Sequence, residues 1–289
     1  MILRNFTLAL VLFLSSTGGL IMEIVAGRLI APYVGMSLYT WTSIIAVVLA
    51  GLSAGHWVGG RLVGPAVSEK QAYDRLTAAL AGACVTAAAA LVLIRVISGP
   101  LISSDLSPIP TVILLTSCLF FLPSLFVGIV APIVTKLAVD GGGDATGPVI
   151  GRMYAIGTIG SIVGTLAAGY VFISWIGSIG TVISVTLTYG GLAIVVGVMR
   201  RTQIPKLPLV LMTAALFGLG FWGSSVQALT SPCDRESDYF CIRVDDVSAA
   251  TGRPSRLMAL DHLVHSINDQ DDPGFLHRWS GCRPTQTTF

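Results

Sequence analysis

Three sets of residues have types and spacings that could do chemistry. Cys233 and Cys241 bracket an acidic segment in the run "CDRESDYFCIRVDD". In an oxidising compartment such a pair closes a disulfide, and the alternative is two unrelated thiols. Glu23 and His56 lie inside long apolar runs, with Arg28 five residues beyond Glu23. Ionisable groups at membrane depth are costly and usually paired or functional. They therefore read either as a structural ion pair or interfacial anchor, or as a proton or substrate site. Asp261, His262 and His265 form the third set. On a strand, positions i and i+3 face opposite sides, which argues against a metal site there.

Other chemistries lack a signature. The chain has no P-loop, dinucleotide fingerprint, HExxH or Cys/His metal cluster, so no cofactor or metal is expected. The glycine-rich Asp140–Gly147 stretch falls between apolar segments with no strand before it, and reads as a loop. Cys84 and Cys118 sit within apolar runs as small hydrophobes, and Cys282 has no evident partner.

The elements that must position these residues are spanning helices. Mean hydropathy is +0.80, and 53% of residues are hydrophobic against 11% charged. Soluble domains carry roughly 25% charged residues. Seven apolar stretches near the roughly 20 residues of a spanning helix emerge. They are Phe6–Gly27, Thr40–Gly60, Leu76–Ile97, Thr111–Leu137, Ile150–Ile173, Ser178–Met199 and Leu207–Val226. The fourth contains Pro123 and Pro132 and is kinked, tilted or broken. The first runs past a signal-peptide core without a convincing cleavage site and reads as a retained helix. Small residues four apart, Gly51, Gly55 and Gly59 in one run and Gly160 and Gly164 in another, let helix backbones approach closely.

Charge sets the orientation. Nine basic residues, from Arg4 to Lys206, fall on one side of the seven crossings, against Arg28 and Arg95 on the other. The positive-inside rule then puts the N-terminus in the cytoplasm and the tail outside. Residues 1–226 form the membrane domain. In the tail, "YFCIRV" (Tyr239–Val244) and "SRLMALD" (Ser255–Asp261) read as strands joined by a turn. The last residues, 274–289, read as irregular. The fold class is an all-α polytopic membrane protein with a short β-rich tail. Its expected partner is the lipid bilayer, with a homo-oligomer or another membrane protein as a further possibility. The mildly acidic tail argues against nucleic acid.

These residues carry a resemblance. "ESDYFCIRV" followed by "RLMALDHLVHS" resembles the opening strands of the spermidine synthase (polyamine aminopropyltransferase) family, E-S-x-Y-Q-x-I-x-V and then L-x-L-D-G-x-x-Q. "STGGLIMEIVAGRLIAPYVG", "VLAGLSAGHWVGGRL", "LPSLFVGIVAPIVTKLA" and "GRMYAIGTIGSIVGTLAAGYVFI" are similar to the multi-span region of bacterial membrane-bound relatives. The likeness implies a bacterial plasma-membrane location. It also makes 227–273 the β-rich preface of a synthase domain, with Tyr239, Asp261 and His265 as a substrate-pocket remnant.

The departures are as informative. Phe240 and His265 stand where the family has substrate-contacting Gln residues, and His262 replaces a Gly. The family's nucleotide loop, ribose-binding carboxylate and catalytic aspartate are not encoded in these residues. A truncated reading frame or a genuine short form would explain this. The expectation is a membrane protein without aminopropyl transfer of its own. A transporter-like or small-molecule-binding module and a scaffold subunit are the alternatives. One tension remains at this level: aminopropyl donors are cytosolic metabolites, whereas seven crossings export the tail.

Overall fold

The computed structural model describes residues 2–64, 66–104, 106–141, 146–199, 206–237 and 239–269. It is mostly helical. Helices α1 (Ile2–Val34), α2 (Leu38–Leu62), α3 (Glu69–Ile102), α4 (Pro108–Asp140), α5 (Thr146–Ala167), α6 (Ile173–Met199) and α7 (Lys206–Ser225) follow in order, with a π-helical turn at Ala168–Phe172. Because α5, the π turn and α6 run on, six helical stretches are long and apolar enough to cross a membrane. The helices start and stop for local reasons. Ser37 caps α2, Ser68 and Gln71 form a reciprocal capping box on α3, and Pro108 opens α4 where its missing N–H costs nothing. Pro123 and Pro132 do not interrupt α4, which runs 33 residues without a break.

The 54-residue stretch from Thr146 to Met199 is not one straight rod. Gly177 sits at φ 70°, ψ 178°, a conformation essentially reserved for glycine. The chain reverses there, as its neighbours show. Gly157 lies against Leu12 and Ser16, Gly160 against Phe13 and Gly164 against Thr17, so α5 runs parallel to α1. Tyr189 of α6 meets Ser15 and Gly18, while the Ser178 end of α6 lies beside Arg28, so α6 runs antiparallel to α1.

Two glycine seams bring backbones together. A Cβ on Gly51 would lie 2.7 Å from the Phe121 carbonyl oxygen, one on Gly55 would be 2.8 Å from Gly128 Cα, and one on Gly59 would be 2.8 Å from the Ile129 oxygen. These three glycines seat α2 along α4. On the other seam a Cβ on Gly164 would stand 2.9 Å from Thr17 Cα, and the Thr17 hydroxyl donates to the Gly160 carbonyl at 2.9 Å. In a bilayer, close backbone approach of this kind takes the place of the hydrophobic drive that lipid removes. The core between α1, α3, α4 and α6 is filled by fully buried Ile30, Leu76, Leu80, Leu115, Phe120 and Tyr189. By contrast α7 is peripheral, with Phe217 and Phe221 exposed.

The tail forms a four-stranded antiparallel sheet in the order β1 (Arg235–Glu236), β2 (Cys241–Asp246), β3 (Ser255–Leu260) and β4 (Leu263–Asp269). The two expected strands are present, the first displaced by two residues, and two more flank them. The link read as a turn contains a short helix, α8 (Ser248–Thr251), closed by Gly252 in the left-handed region. Register pairs Ile242 with Leu260 and Asp246 with Arg256. A tight turn through Asp261, at φ 53°, joins β3 to β4, and aspartate tolerates that left-handed conformation. Cys282 and the other residues of the 274–289 end fall outside the described residues.

Candidate functional site

Polar side chains from three helices converge where the tail meets the bundle. The bundle end carrying the α1–α2 loop presents Arg28 from α1, Arg95 from α3 and Ser178 from the start of α6. The Gly177 break leaves the first amides of the α6 segment that follows without helical acceptors. Glu236 of β1 fills that role: its Oε2 accepts from the Ser178 N–H at 2.8 Å and from the Ser178 hydroxyl at 3.0 Å. A carboxylate at a helix N-terminus is favoured by the helix dipole as well. Its other oxygen accepts from the Ser231 hydroxyl at 3.0 Å.

The two arginines hold the chain on either side of Glu236. Arg28 donates to the carbonyl of Ser237 at 2.5 Å and to that of Tyr239, and Arg95 donates to the carbonyl of Thr230. Between them the Cys233–Cys241 disulfide closes, with its Cα atoms 5.3 Å apart. Arg28, Arg95, Ser178, Cys233 and Glu236 line a small cleft of about 20 Å³ together with Tyr33 and Leu91. It is a latch: four tail carbonyl or carboxylate groups are held by three residues of three different helices.

Other expected site residues fall elsewhere. Arg28 is turned to the tail and makes no ion pair with Glu23. His56 is exposed on α2, while Glu23 is half-buried on α1. Gly27 packs on Trp41, which fixes the register of the two helices. At about 1.5 Å per residue, Glu23 and His56 are then roughly 16 Å apart along the bundle axis. The structure does not bring them together, and neither lines the Arg28–Arg95 cleft. A second, small gap of about 10 Å³, between Gly19, Leu52, Phe120, Pro123 and Tyr189, is apolar apart from two hydroxyls.

In the tail, Asp261 is 6% exposed and committed to the fold. Its Oδ1 accepts from the Cys241 N–H at 2.9 Å, and its own N–H donates to the Cys241 carbonyl at 2.8 Å. Tyr239, His262 and His265 are exposed, and they do not converge with Asp261 on a pocket. Among the described residues, no group of three His, Cys, Asp or Glu side chains could hold a metal ion. Cys84 is buried and Cys118 exposed, both as free thiols.

Sequence reasoning missed Glu236, Ser178 and the part played by Arg95. Only the Gly-Ser pair ahead of a fresh apolar run signalled a helix start at Ser178. Comparison with protein families, with curated proteins and with solved structures finds no match.

Proposed function

We propose that this chain is a seven-crossing membrane platform that fixes and orients a β-sheet module of the aminopropyltransferase type at its outer mouth. The observation that carries the reading is the latch, in which Arg28, Arg95 and Ser178 grip the residues leading into the sheet. A free-hanging tail would need no such set of contacts.

Several features support seven crossings. Exposed aromatic side chains recur at matching depth: Trp41 and Trp57 on α2, and Tyr154 on α5 with Tyr170 in the π turn. Each pair is separated by about 24 Å at the helical rise, close to the spacing of the aromatic belts of a bilayer. The reversal at Gly177 divides the 54-residue stretch into an ascending and a descending helix. An N-terminus in the cytoplasm then places the sheet on the opposite side, in bacteria the periplasm, where a Cys233–Cys241 disulfide is at home. The basic inner end agrees: Arg4 pairs with Glu69, and Arg61 lies over the Trp57 ring.

On this reading residues 1–289 position and do not catalyse. Purified protein given decarboxylated S-adenosylmethionine and putrescine should show no aminopropyl transfer, and clear turnover would defeat this part of the proposal. Sidedness is tested by C-terminal fusions. Alkaline phosphatase should be active and green fluorescent protein dark, whereas the reverse pattern would put the sheet in the cytoplasm.

A further inference from the structure

The sheet is not uniformly polar, and its polarity follows its distance from the bundle. The end near the helices is fixed by Arg28 at Tyr239 and by the β3–β4 turn, where His262 Cβ lies 3.5 Å from the position a Cβ on Gly35 would take. That end carries large exposed hydrophobics: Tyr239 is 79% exposed, Leu263 73%, Val264 48% and Phe240 46%. The far end carries Asp245, Asp246, Arg253 and Arg256 instead.

The apolar end continues a surface that already faces lipid. Gly35 opens the loop into α2, whose first residues Leu38 and Tyr39 are 79% and 62% exposed beside the outer aromatic belt. Tyr and Phe side chains favour this headgroup region, where one part of a ring is dry and another wet.

From this gradient we propose that the bundle-proximal end of the sheet is an interfacial lipid-binding surface. Tyr239, Phe240, Leu263 and Val264 dip into the headgroup region of the leaflet on the sheet's own side, while the charged end stays in water. The occupant is bilayer lipid, because the patch borders the lipid-facing start of α2 and lies at its level. The sheet is thus held at two points, by the latch over the mouth and by lipid at its rim. This inference rests on the membrane reading of the bundle, but not on which side the sheet occupies.

The test uses the full chain with Cys84→Ala, Cys118→Ala and Cys282→Ala, its disulfide intact, one copy per lipid nanodisc. An environment-sensitive fluorophore is attached at Leu263→Cys, at Val264→Cys as a second rim position, at Asp245→Cys as the distal control and at Leu49→Cys in mid-span. Lipids spin-labelled near the headgroup should quench the rim positions about two-fold or more beyond Asp245→Cys, since interfacial elements sit roughly 5–10 Å deep. Lipids labelled deep in the acyl chain should quench Leu49→Cys. Rim positions quenched no more than Asp245→Cys would overturn the inference. So would efficient Leu263→Cys cross-linking between copies in liposomes holding many copies, which would make the patch a protein interface. If Leu49→Cys also escaped quenching, the membrane reading itself would fall.

Discussion

The bundle and the sheet are joined to the rest of the molecule by opposite means. Between helices, the α2–α4 seam works by shape: Gly51, Gly55 and Gly59 let one backbone lie directly on another, with no charge involved. Between bundle and sheet, the joint works by polarity, through Arg28, Arg95 and Glu236 gripping backbone and hydroxyl groups. A shape seam is broken by adding atoms and a polar latch by removing them. The comparison teaches that damage to one should leave the other largely intact.

The largest effect should come from filling the seam. Gly55→Leu would drive its side chain into the Leu125 carbonyl and Gly128 Cα, which are backbone and cannot yield. Overpacking of this kind costs about 3 kcal/mol. Thermal unfolding in detergent should show a large loss for Gly55→Leu and little for Gly60→Leu, which has nothing within 4 Å of its Cβ position. Equal stability of the two would refute close packing of α2 on α4.

The contrast between the joints also explains what the sequence revealed. Helices were legible because span length and apolarity are local properties, and the stretch boundary at Ser178 coincides with the end of the Gly177 break. The seam was legible for the same reason, since glycine spacing is periodic along one helix. The latch was not. Arg28 looked like a partner for Glu23, five residues away, yet its acceptors lie more than two hundred residues on. Glu236 looked like one acid among many in the tail. The "LVHSIND" of β4 lacks the alternation of a strand, and its pairing with β3 supplies what its own composition does not. The cysteine pair was legible only as one of two options, because distance in sequence does not fix distance in space. Asp261 looked like a pocket residue, whereas its carboxylate is spent on the Cys241 amide.

Within the tail, opening the disulfide should come next in size. The bridge closes a loop of sequence separation 8, for which chain entropy gives about 2.5 kcal/mol. Cys233→Ser with Cys241→Ser should raise amide exchange in β2 and β3 and leave the α2–α4 seam unchanged. Exchange rising equally in α2 would mean that the two joints are coupled.

The latch should yield a somewhat smaller loss. Arg28→Ala removes two charge-assisted hydrogen bonds from a half-buried group, costing about 2 kcal/mol at the sheet. Limited proteolysis should cut Arg28→Ala between residues 226 and 240 faster than wild type, at an unaltered bundle melting temperature. A protected tail would contradict the latch.

The smallest effect is a pH dependence. Hydrogen bonds from the Ser248 hydroxyl and amide hold the Asp246 carboxyl below its ordinary value of 3.8. A depressed carboxyl contributes stability above the unfolded value and loses it as pH falls through the folded one. Protection of the sheet amides from exchange should therefore fall as pH drops below the ordinary aspartate range, and Asp246→Asn should flatten that acid limb slightly. An unchanged limb in Asp246→Asn would assign the acid sensitivity to other groups.

The most direct test of the latch is a distance between the two regions. Spin labels at Leu49→Cys on α2 and Asp245→Cys on the sheet, with Cys84, Cys118 and Cys282 replaced by Ala, report how firmly the sheet is held. In nanodiscs the wild-type background should give one narrow distance distribution. Adding Arg28→Ala and Glu236→Ala should broaden it while the bundle stays folded. Equally narrow distributions with and without the latch would contradict the account, because the sheet would then be oriented by something else.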